Sequence, residues 1–292
     1  MMDSAPAAPP SWLAERVMSK ARTENFPVAS RLLPQDVRDH LLAIYGFARL
    51  VDDLGDEALG DRAAHLDWLD HELDRVYRGR PTHPLLQRLV PTVRRFRIPP
   101  EPFEKLIAAN RQDQVVSTYR TFDQLLTYCE LSANPVGRLV LFVLEASTPE
   151  RARRSDAVCT GLQLVEHWQD IAEDLARGRV YLPQEDMDRF GVATQDLAAP
   201  RAGGPLRRLL AFETERSRRL LDQGAPLAGD LGGRAGLAVA AFVAGGRSAL
   251  DAIQRAGYDV LGQRPRPSGA RRAWTFLHVA AASKRRRGEA AM

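Results

Sequence analysis

The amino-acid sequence predicts an all-α protein. Apolar residues recur at intervals of three and four along most of the 292 residues, as in the stripe formed by Val37, Leu41, Ile44, Ala48 and Val51. The alternating runs that mark half-buried strands are missing. Prolines and glycines divide the chain into segments of helical length. These three features predict helices joined by short connections.

The prolines and glycines that interrupt helices set the bounds of the expected helices. They are Trp12–Arg22, Asp36–Leu54, Asp61–Arg78, Pro84–Phe96, Pro102–Ser117, Phe122–Glu145, Arg151–Arg177, Pro205–Gln223 and Arg234–Ala256. The longest loop-like stretch, Tyr181–Pro205, still carries apolar residues such as Met187 and Leu197 and does not resemble a domain linker. We therefore expect one helical domain over residues 12–268, between an N-terminal segment of residues 1–11 and a basic tail of residues 269–292.

Composition narrows the class of protein. Hydrophobic residues at 45% and charged residues at 27% are ordinary globular usage. Cys129 and Cys159 are too few for a disulfide framework or a cysteine-based zinc site, and both are expected to pack as small apolar residues. The Ala/Pro-rich start lacks a basic region followed by an apolar stretch, which predicts a cytoplasmic protein. The longest apolar run, Leu237–Ala244, is far below the ~20 residues of a spanning helix.

The net charge of +4 is concentrated near the C-terminus, at Arg271, Arg272 and Lys284–Arg287. No aromatic interleaving or nucleic-acid motif accompanies this cluster, so nucleic acid is not an expected partner. A solvated tail, or one attracted to anionic lipid or to diphosphate, fits better. We therefore expect a cytoplasmic protein. Peripheral binding at the inner face of the membrane is compatible with the basic tail.

The first acidic segment combines Tyr45, Arg49, Asp52 and Asp56 on one predicted helix face. This stripe runs beside the apolar stripe that ends at Val51, which places the carboxylates at the edge of the core. Tyr45 has two interpretations, a contact to diphosphate or to a reacting water and a plain core tyrosine. For the neighbouring Asp53, two roles remain equally open. It could form a surface salt bridge, or it could orient a residue that binds the cation.

The second acidic segment repeats the arrangement. Glu166, Asp170 and Asp174 recur at intervals of four, next to apolar residues that include Trp168. His167 is expected to lie off this acidic face and to be structural. Stacked like charges cost roughly 0.2–0.5 kcal/mol per pair, so a cation is expected nearby.

One acidic stripe alone is typical of an ordinary solvated helix face. Two stripes of equal spacing, each bordering an apolar face, favour a divalent-cation site if the helices face each other. Mg²⁺ prefers oxygen ligands and is commonly completed by substrate phosphate. Such a site would bind diphosphate and stabilise the charge on a departing diphosphate. Mg²⁺ is therefore the expected cofactor, with Asp52, Asp56, Asp170, Asp174 and the accessory Glu166 as its ligands.

The same residues resemble the squalene and phytoene synthases. An Arg followed by Asp-x-x-x-Asp is matched by Arg49, Asp52 and Asp56, and the second Asp-x-x-x-Asp, with an upstream Gln, by Gln163, Asp170 and Asp174. The run Arg177–Pro183 resembles the family's Arg-Gly-Arg-x-Tyr-Leu-Pro signature. Further matches occur at Asn25–Pro34, Asn110–Asp113, Tyr128–Gly137 and Gly257–Val260, so that the resemblance covers roughly residues 20 to 265.

The resemblance implies a single-domain helical bundle of the isoprenoid-synthase type with a central apolar cavity. It is strongest to the family's bacterial hopanoid-pathway branch, the hydroxysqualene synthases. It implies ionisation of presqualene diphosphate, rearrangement, and capture by water to give hydroxysqualene and diphosphate. A separate presqualene diphosphate synthase and a separate reductase would be functional partners.

The resemblance also implies roles for individual residues. The implied substrate contacts are Arg49, Gln163, Arg177 and Tyr181. The implied catalytic residues are Tyr45, Arg49 and the aspartates Asp52, Asp56, Asp170 and Asp174. Phe26 and Tyr128 would line the isoprenoid cavity, although plain core packing explains them equally well.

Two positions depart from the wider family pattern. Glu166 stands where much of the family has Asn, and Gln169 stands where head-to-head condensing members have Arg. Loss of that cation favours a substrate with one diphosphate. Two alternatives stay open at this stage, a synthase that condenses two prenyl diphosphates to presqualene diphosphate or phytoene, and a helical lipid-associated scaffold protein without catalytic activity.

Overall fold

The protein is represented by a computed structural model that describes residues 33–262 and residue 265. Within these residues the regular structure is helical, with strand-like pairing limited to one bridge between Thr118 and Val180. The predicted all-α fold is confirmed. The expected helix Trp12–Arg22, Phe26, the N-terminal segment and the basic tail lie outside the described residues.

The helices follow one another in this order: α1 Gln35–Asp52, a π-helical turn Asp53–Glu57, α2 Arg62–Tyr77, α3 Pro84–Phe96, α4 Glu101–Gln112, α5 Phe122–Ser132, α6 Asn134–Val143, α7 Pro149–Gln169, α8 Ile171–Ala176, α9 Gln184–Phe190, a 3₁₀ turn Thr194–Ala198, α10 Gly204–Gly224, α11 Leu227–Leu231 and α12 Gly233–Arg255. They form two compact units. The first reaches Val115 and includes Pro135–Thr148, and the second comprises Val116–Asn134 and the chain from Pro149 onward. The domain bounds 12–268 stay a prediction.

Four expected segments differ from the structure. The segment Pro102–Ser117 is shorter, because α4 ends at Gln112. The segment Phe122–Glu145 is two helices, because Pro135 lacks an N–H and disfavours helical backbone at the residue before it. The segment Arg151–Arg177 is interrupted at Asp170, whose φ of −108° and ψ of 14° lie outside the helical region. The stretch Tyr181–Pro205, expected to be loop-like, contains α9, which has Pro183 before its first residue and the left-handed Gly191 after its last.

The first unit packs α1 against α3 and α4, with α2 also contacting α3 and α4. Its core includes Phe47 and Phe103, which are fully buried and meet edge to face with their centroids 4.9 Å apart. Leu50 and Leu54 are also fully buried, on either side of the first acidic residues. The core therefore fixes the backbone that carries Asp52 and Asp53.

The second unit is built on the pair α7 and α10, with α12 packed against both. Trp168 of α7 is fully buried and its indole N–H donates to Ser217 Oγ on α10 at 2.8 Å. Gly224 lies where the backbones of α10 and α7 approach most closely, since a Cβ there would lie 2.7 Å from the Arg154 carbonyl oxygen and 2.8 Å from the Val158 nitrogen. This close contact fixes the helix that leads into the second acidic segment.

Gly224→Ala is therefore expected to destabilise the protein by about 1–3 kcal/mol, because the added methyl group would overlap two backbone atoms of α7 as well as the Val158 side chain. Gly245→Ala in α12 is the matched control, since a Cβ there meets nothing within 4 Å. The control is expected to gain about 0.5–1 kcal/mol from the higher helix propensity of alanine. Urea unfolding of both variants measures the difference, and equal stabilities would contradict the close approach.

Helix α12 is long and apolar enough by composition to cross a membrane, although the sequence run Leu237–Ala244 had suggested otherwise. Within the described residues, 61% of its most apolar window is buried inside the protein. Val243, Leu250 and Ile253 are fully buried. The apolar character of α12 is therefore largely used in packing.

Candidate functional site

The first acidic segment lies at the end of α1 and in the π-helical turn Asp53–Glu57. Arg49 Nη2 lies 2.9 Å from Asp53 Oδ1 and 2.9 Å from Glu57 Oε1. Asp53 is 1% exposed, so the surface salt bridge considered for it is wrong. The Asp53 carboxylate of the ion pair with Arg49 is buried. Arg49 thus neutralises two carboxylates of its own segment, and its contact to diphosphate stays a prediction.

The π-helical turn changes the geometry expected for Asp52 and Asp56. The Ala58 N–H donates to the Asp53 carbonyl at 2.8 Å, an i to i+5 bond that accommodates one extra residue. The two aspartates consequently do not continue one straight α-helical stripe. Asp56 is half-buried and Asp52 retains exposed surface. π-Helical turns of this kind occur frequently at functional sites.

The pKa of Asp52 is raised to about 7, chiefly because surrounding protein atoms desolvate its carboxyl group. Arg49 and a hydrogen bond from Asn110 lower the pKa, whereas the charges of Asp56 and Asp53 raise it. The Asp52 side chain is itself exposed to water, so its carboxyl group is accessible to a cation. A cation beside Asp52 would favour the ionised form.

The second acidic segment crosses the interruption between α7 and α8. Asp170 leaves the helical backbone region, yet the Asp170 N–H still donates to Glu166 at 3.0 Å and the Asp174 N–H to Asp170 at 2.8 Å. Glu166 is exposed, whereas Asp170 and Asp174 are half-buried. The interval of four is retained in the backbone bonding, and Glu166 is the most water-accessible of the three.

His167 contacts the acidic segment, although it was expected to lie off the acidic face. Its Nδ1 lies 3.9 Å from Asp174 Oδ2, and its Nε2 lies 3.2 Å from Gln163 Nε2. Because the Gln163 amide nitrogen can only donate, His167 Nε2 accepts and Nδ1 carries the proton toward Asp174. Burial lowers the pKa of His167, while Asp174 raises it. The position predicted for His167, off the acidic face, was wrong because His167 and Asp174 are seven residues apart, and residues at that interval lie on the same side of a helix.

Tyr128 and Tyr181 belong to an aromatic cluster around His167. The Tyr181 ring stacks on the imidazole with a centroid distance of 3.7 Å, and Tyr128 lies 5.7 Å from Tyr181. Tyr119 completes the cluster by stacking on Tyr181 at 5.7 Å. Both predicted residues are buried, so the structure brings Tyr128, Gln163, Asp174 and Tyr181 together.

A small recess opens beside this cluster. Asp174, Arg179, Tyr181 and Leu197 are among its lining residues, and its volume is about 200 Å³ including space open to solvent. The recess is too small to enclose a long hydrocarbon chain.

The remaining predicted residues have separate surroundings. Tyr45 is half-buried on α1, one turn before Arg49. Arg177 is exposed at the end of α8, where a cation also complements the helix dipole. Gln169 Nε2 donates to the Pro265 carbonyl at 2.7 Å. Gln169 is thus used for a contact within the chain.

The described residues contain no cluster of three or more His, Cys, Asp or Glu side chains arranged to enclose a metal ion. The donor set nevertheless suits Mg²⁺, which is commonly held by one or two carboxylates together with substrate phosphates and water. Asp52, whose pKa is raised in part by Asp53 and Asp56, is such a donor. The assignment of Asp52, Asp56, Asp170, Asp174 and the accessory Glu166 as Mg²⁺ ligands stays a prediction.

Sequence reasoning overlooked Asn110 and Gln114, which contact the first acidic segment. Asn110 had been recognised only as part of a motif, without a role. The signal that pointed to them is Gly55, since a glycine inside a helical pattern indicates a bulge or a close approach.

Comparison with known proteins identifies the family. Residues 19–271 match the squalene/phytoene synthase family model. The chain is 36% identical over 212 residues to a hydroxysqualene synthase of Rhodopseudomonas palustris, covering 72% of each chain. It is 30% identical over 269 residues to a phytoene synthase of Arthrospira platensis, covering 85% of each chain.

A solved structure agrees with these sequence relatives. The crystal structure of the squalene synthase HpnC from Alicyclobacillus acidocaldarius has a TM-score of 0.80 and 43% identity, with 85% of this chain and 94% of that chain covered. These matches confirm the family resemblance and remove the alternative of a non-catalytic scaffold. The chain belongs to the squalene/phytoene synthase family and is an enzyme of isoprenoid synthesis.

Proposed function

We propose that this enzyme is a hydroxysqualene synthase, which converts presqualene diphosphate and water to hydroxysqualene and diphosphate. The observation that carries the proposal is the environment of Gln169. Its amide is neutral and donates to the Pro265 carbonyl at 2.7 Å. The resemblance to the family implies a cationic arginine at this position in condensing members. A reaction of two prenyl diphosphates benefits from that cation more than a reaction of one.

The proposed reaction balances without an external reductant. The C–O bond to diphosphate breaks and diphosphate leaves with the electron pair. The cyclopropylcarbinyl cation rearranges, the oxygen of water forms a bond to carbon, and one proton is released. Carbon skeleton rearrangement and substitution by water account for the whole change, so a nicotinamide site is not required.

The enzyme's residues divide into two groups in this proposal. Asp52, Asp56, Asp170 and Asp174, with Glu166, bind Mg²⁺, and Arg49, Gln163, Arg177 and Tyr181 orient the diphosphate. Bound Mg²⁺ supplies positive charge that stabilises the diphosphate as it leaves. Tyr128 and Phe26 contact the hydrocarbon in the central apolar cavity that the family resemblance implies, and Tyr45 orients the water or the diphosphate. Apolar surroundings exclude other water molecules from the cation.

The chemistry also specifies functional partners. The substrate must come from an enzyme that joins two prenyl diphosphates to presqualene diphosphate, and a separate reductase would convert hydroxysqualene further. Since substrate and product are both lipids, a cytoplasmic enzyme bound peripherally at the inner face of the membrane fits the proposal.

Two parallel incubations with Mg²⁺ test the proposed function. The purified protein receives farnesyl diphosphate alone in one and presqualene diphosphate alone in the other, and the neutral lipids and the remaining diphosphates are identified by mass spectrometry. We expect hydroxysqualene from presqualene diphosphate and no product from farnesyl diphosphate. Formation of presqualene diphosphate from farnesyl diphosphate would establish the condensing alternative, which the phytoene synthase relatives favour.

A further inference from the structure

We propose that Gln114 and Asn110 are positioning residues that hold the π-helical turn Asp53–Glu57 and thereby direct Asp52 and Asp56. Both side chains come from the end of α4 and the turn that follows it. The inference rests on the proposed function in one respect, the binding of Mg²⁺ by these aspartates. The contact between α4 and the π-helical turn is independent of it.

Gln114 bonds directly to the backbone of the π-helical turn. Its Nε2 donates to the Gly55 carbonyl at 3.0 Å and to the Asn110 carbonyl at 3.0 Å. The last carbonyl groups of a helix have no partner within the helix and need one from outside. A single amide group of Gln114 therefore joins the end of α4 to the middle of the turn.

Asn110 fills the space beside Gly55. Its Nδ2 donates to the Leu106 carbonyl at 3.3 Å, which fixes the side chain on α4. The side-chain amide of Asn110 also lies close enough to the Asp52 carboxyl group to lower its pKa. A Cβ at position 55 would lie only 2.9 Å from Asn110 Cγ and would overlap Asn110 Oδ1. Asn110 thus lies beside Asp52 and leaves no room for a side chain at position 55.

Helix α4 provides a fixed platform for these two residues. The guanidinium of Arg111, between Asn110 and Gln114 in sequence, pairs with Asp67 and Asp70 of α2. The side chains that hold the π-helical turn are consequently anchored to a second helix of the same unit.

The direction of Asp56 depends on the π-helical turn. The i to i+5 bond from Ala58 to Asp53 accommodates an extra residue, which rotates the following side chains relative to those of α1. If the turn relaxed to ordinary α-helix, Asp56 would point elsewhere relative to Asp52. Outer residues that orient metal ligands typically change metal affinity by about 10–100-fold when they are replaced.

The test replaces the donor and retains the shape. Gln114→Glu is nearly isosteric but does not donate to the Gly55 carbonyl, and Gln114→Ala removes the whole group. Gln87→Ala is the matched control, because Gln87 Nε2 also donates to two loop carbonyls of the first unit, Pro81 at 3.4 Å and Thr82 at 3.2 Å. Each protein is measured by amide hydrogen exchange without metal and by calorimetric titration with Mg²⁺ and inorganic diphosphate.

We expect faster exchange of the Ala58 amide in both Gln114 variants, and an apparent affinity for Mg²⁺ with diphosphate weakened about 10-fold. Gln87→Ala should change neither. Unchanged exchange in both Gln114 variants would overturn the proposal, and so would faster exchange with unchanged affinity. If the unmodified protein bound no Mg²⁺ with diphosphate, the proposed function would fail, and exchange alone would decide whether Gln114 holds the turn.

A second pair of variants covers the case in which the Gln114 variants do not fold. Gly55→Ala is expected to accelerate exchange at Ala58, because the added methyl group displaces Asn110. Asn110→Ala, which removes the side chain without adding an overlap, should accelerate exchange as well. Exchange as slow as in the unmodified protein in either variant would overturn the role of Asn110.

Discussion

Asp52→Asn and Asp170→Asn are each expected to lower kcat/KM for presqualene diphosphate by about 1,000-fold. Each substitution replaces an anionic oxygen ligand with a neutral amide of the same size. The loss of several kcal/mol of charge stabilisation at the departing diphosphate corresponds to about three orders of magnitude in rate. The measurement is the initial rate of diphosphate release at saturating Mg²⁺.

Nearby carboxylates serve as controls for these substitutions. Glu173→Gln changes an exposed carboxylate directly before Asp174, and Asp36→Asn changes an exposed one in the first turn of α1. Both controls should retain activity within a few-fold. The melting temperatures of all four variants should stay close to that of the unmodified protein. Full activity of either Asp52→Asn or Asp170→Asn would exclude that residue as a ligand.

Trp168→Ala is expected to destabilise the protein by about 3–5 kcal/mol and to lower the melting temperature by about 10 °C. Trp168 is fully buried and donates to Ser217 Oγ on α10. Its removal leaves a large cavity and takes one hydrogen-bond partner from the Ser217 hydroxyl group, which still donates to the Glu213 carbonyl. The substitution also frees the end of α7 directly before Asp170. Activity should therefore decline at temperatures below the melting transition.

Trp168→Phe separates the loss of buried area from the loss of the hydrogen bond, because phenylalanine retains most of the buried area and lacks only the indole N–H. A smaller destabilisation, about 1–3 kcal/mol, is expected for it. Leu59→Ala is the negative control, since Leu59 is 93% exposed. Thermal unfolding followed by circular dichroism measures all three. A Trp168→Ala protein as stable as the Leu59→Ala protein would show that α7 and α10 do not depend on this contact.

The helices could be predicted from the sequence because their apolar periodicity reflects burial directly. The bounds of α3, Pro84–Phe96, agree fully with the expectation. The interruption at Asp170 was not predictable, since it is a change of backbone dihedrals within continuous i to i+4 bonding. Helix α9 was missed because its seven residues are too short to show periodicity, although Pro183 and Gly191 marked its ends.

The candidate site shows a similar limit. The spacing of Asp52, Asp56, Asp170 and Asp174 predicts carboxylate ligands, and that role stays a prediction. The spacing was insufficient to predict the π-helical turn, which depends on contacts with Asn110 and Gln114 in a separate helix and the turn after it. Arg49 forms ion pairs with Asp53 and Glu57 of its own segment, which its spacing did not indicate, and its contact to diphosphate stays a prediction. Local spacing therefore identifies donor atoms, and tertiary contacts determine their direction.

The proposed function depends on capture of a carbocation by water, which an isotope experiment measures directly. Presqualene diphosphate is incubated with the enzyme and Mg²⁺ in water enriched in ¹⁸O, and the alcohol product is analysed by mass spectrometry. We expect hydroxysqualene that carries one ¹⁸O atom from water. The unlabelled oxygen that joined carbon to phosphorus in the substrate leaves with diphosphate. Unlabelled presqualene alcohol would instead show P–O cleavage, and it would contradict ionisation at carbon as the activity of this enzyme.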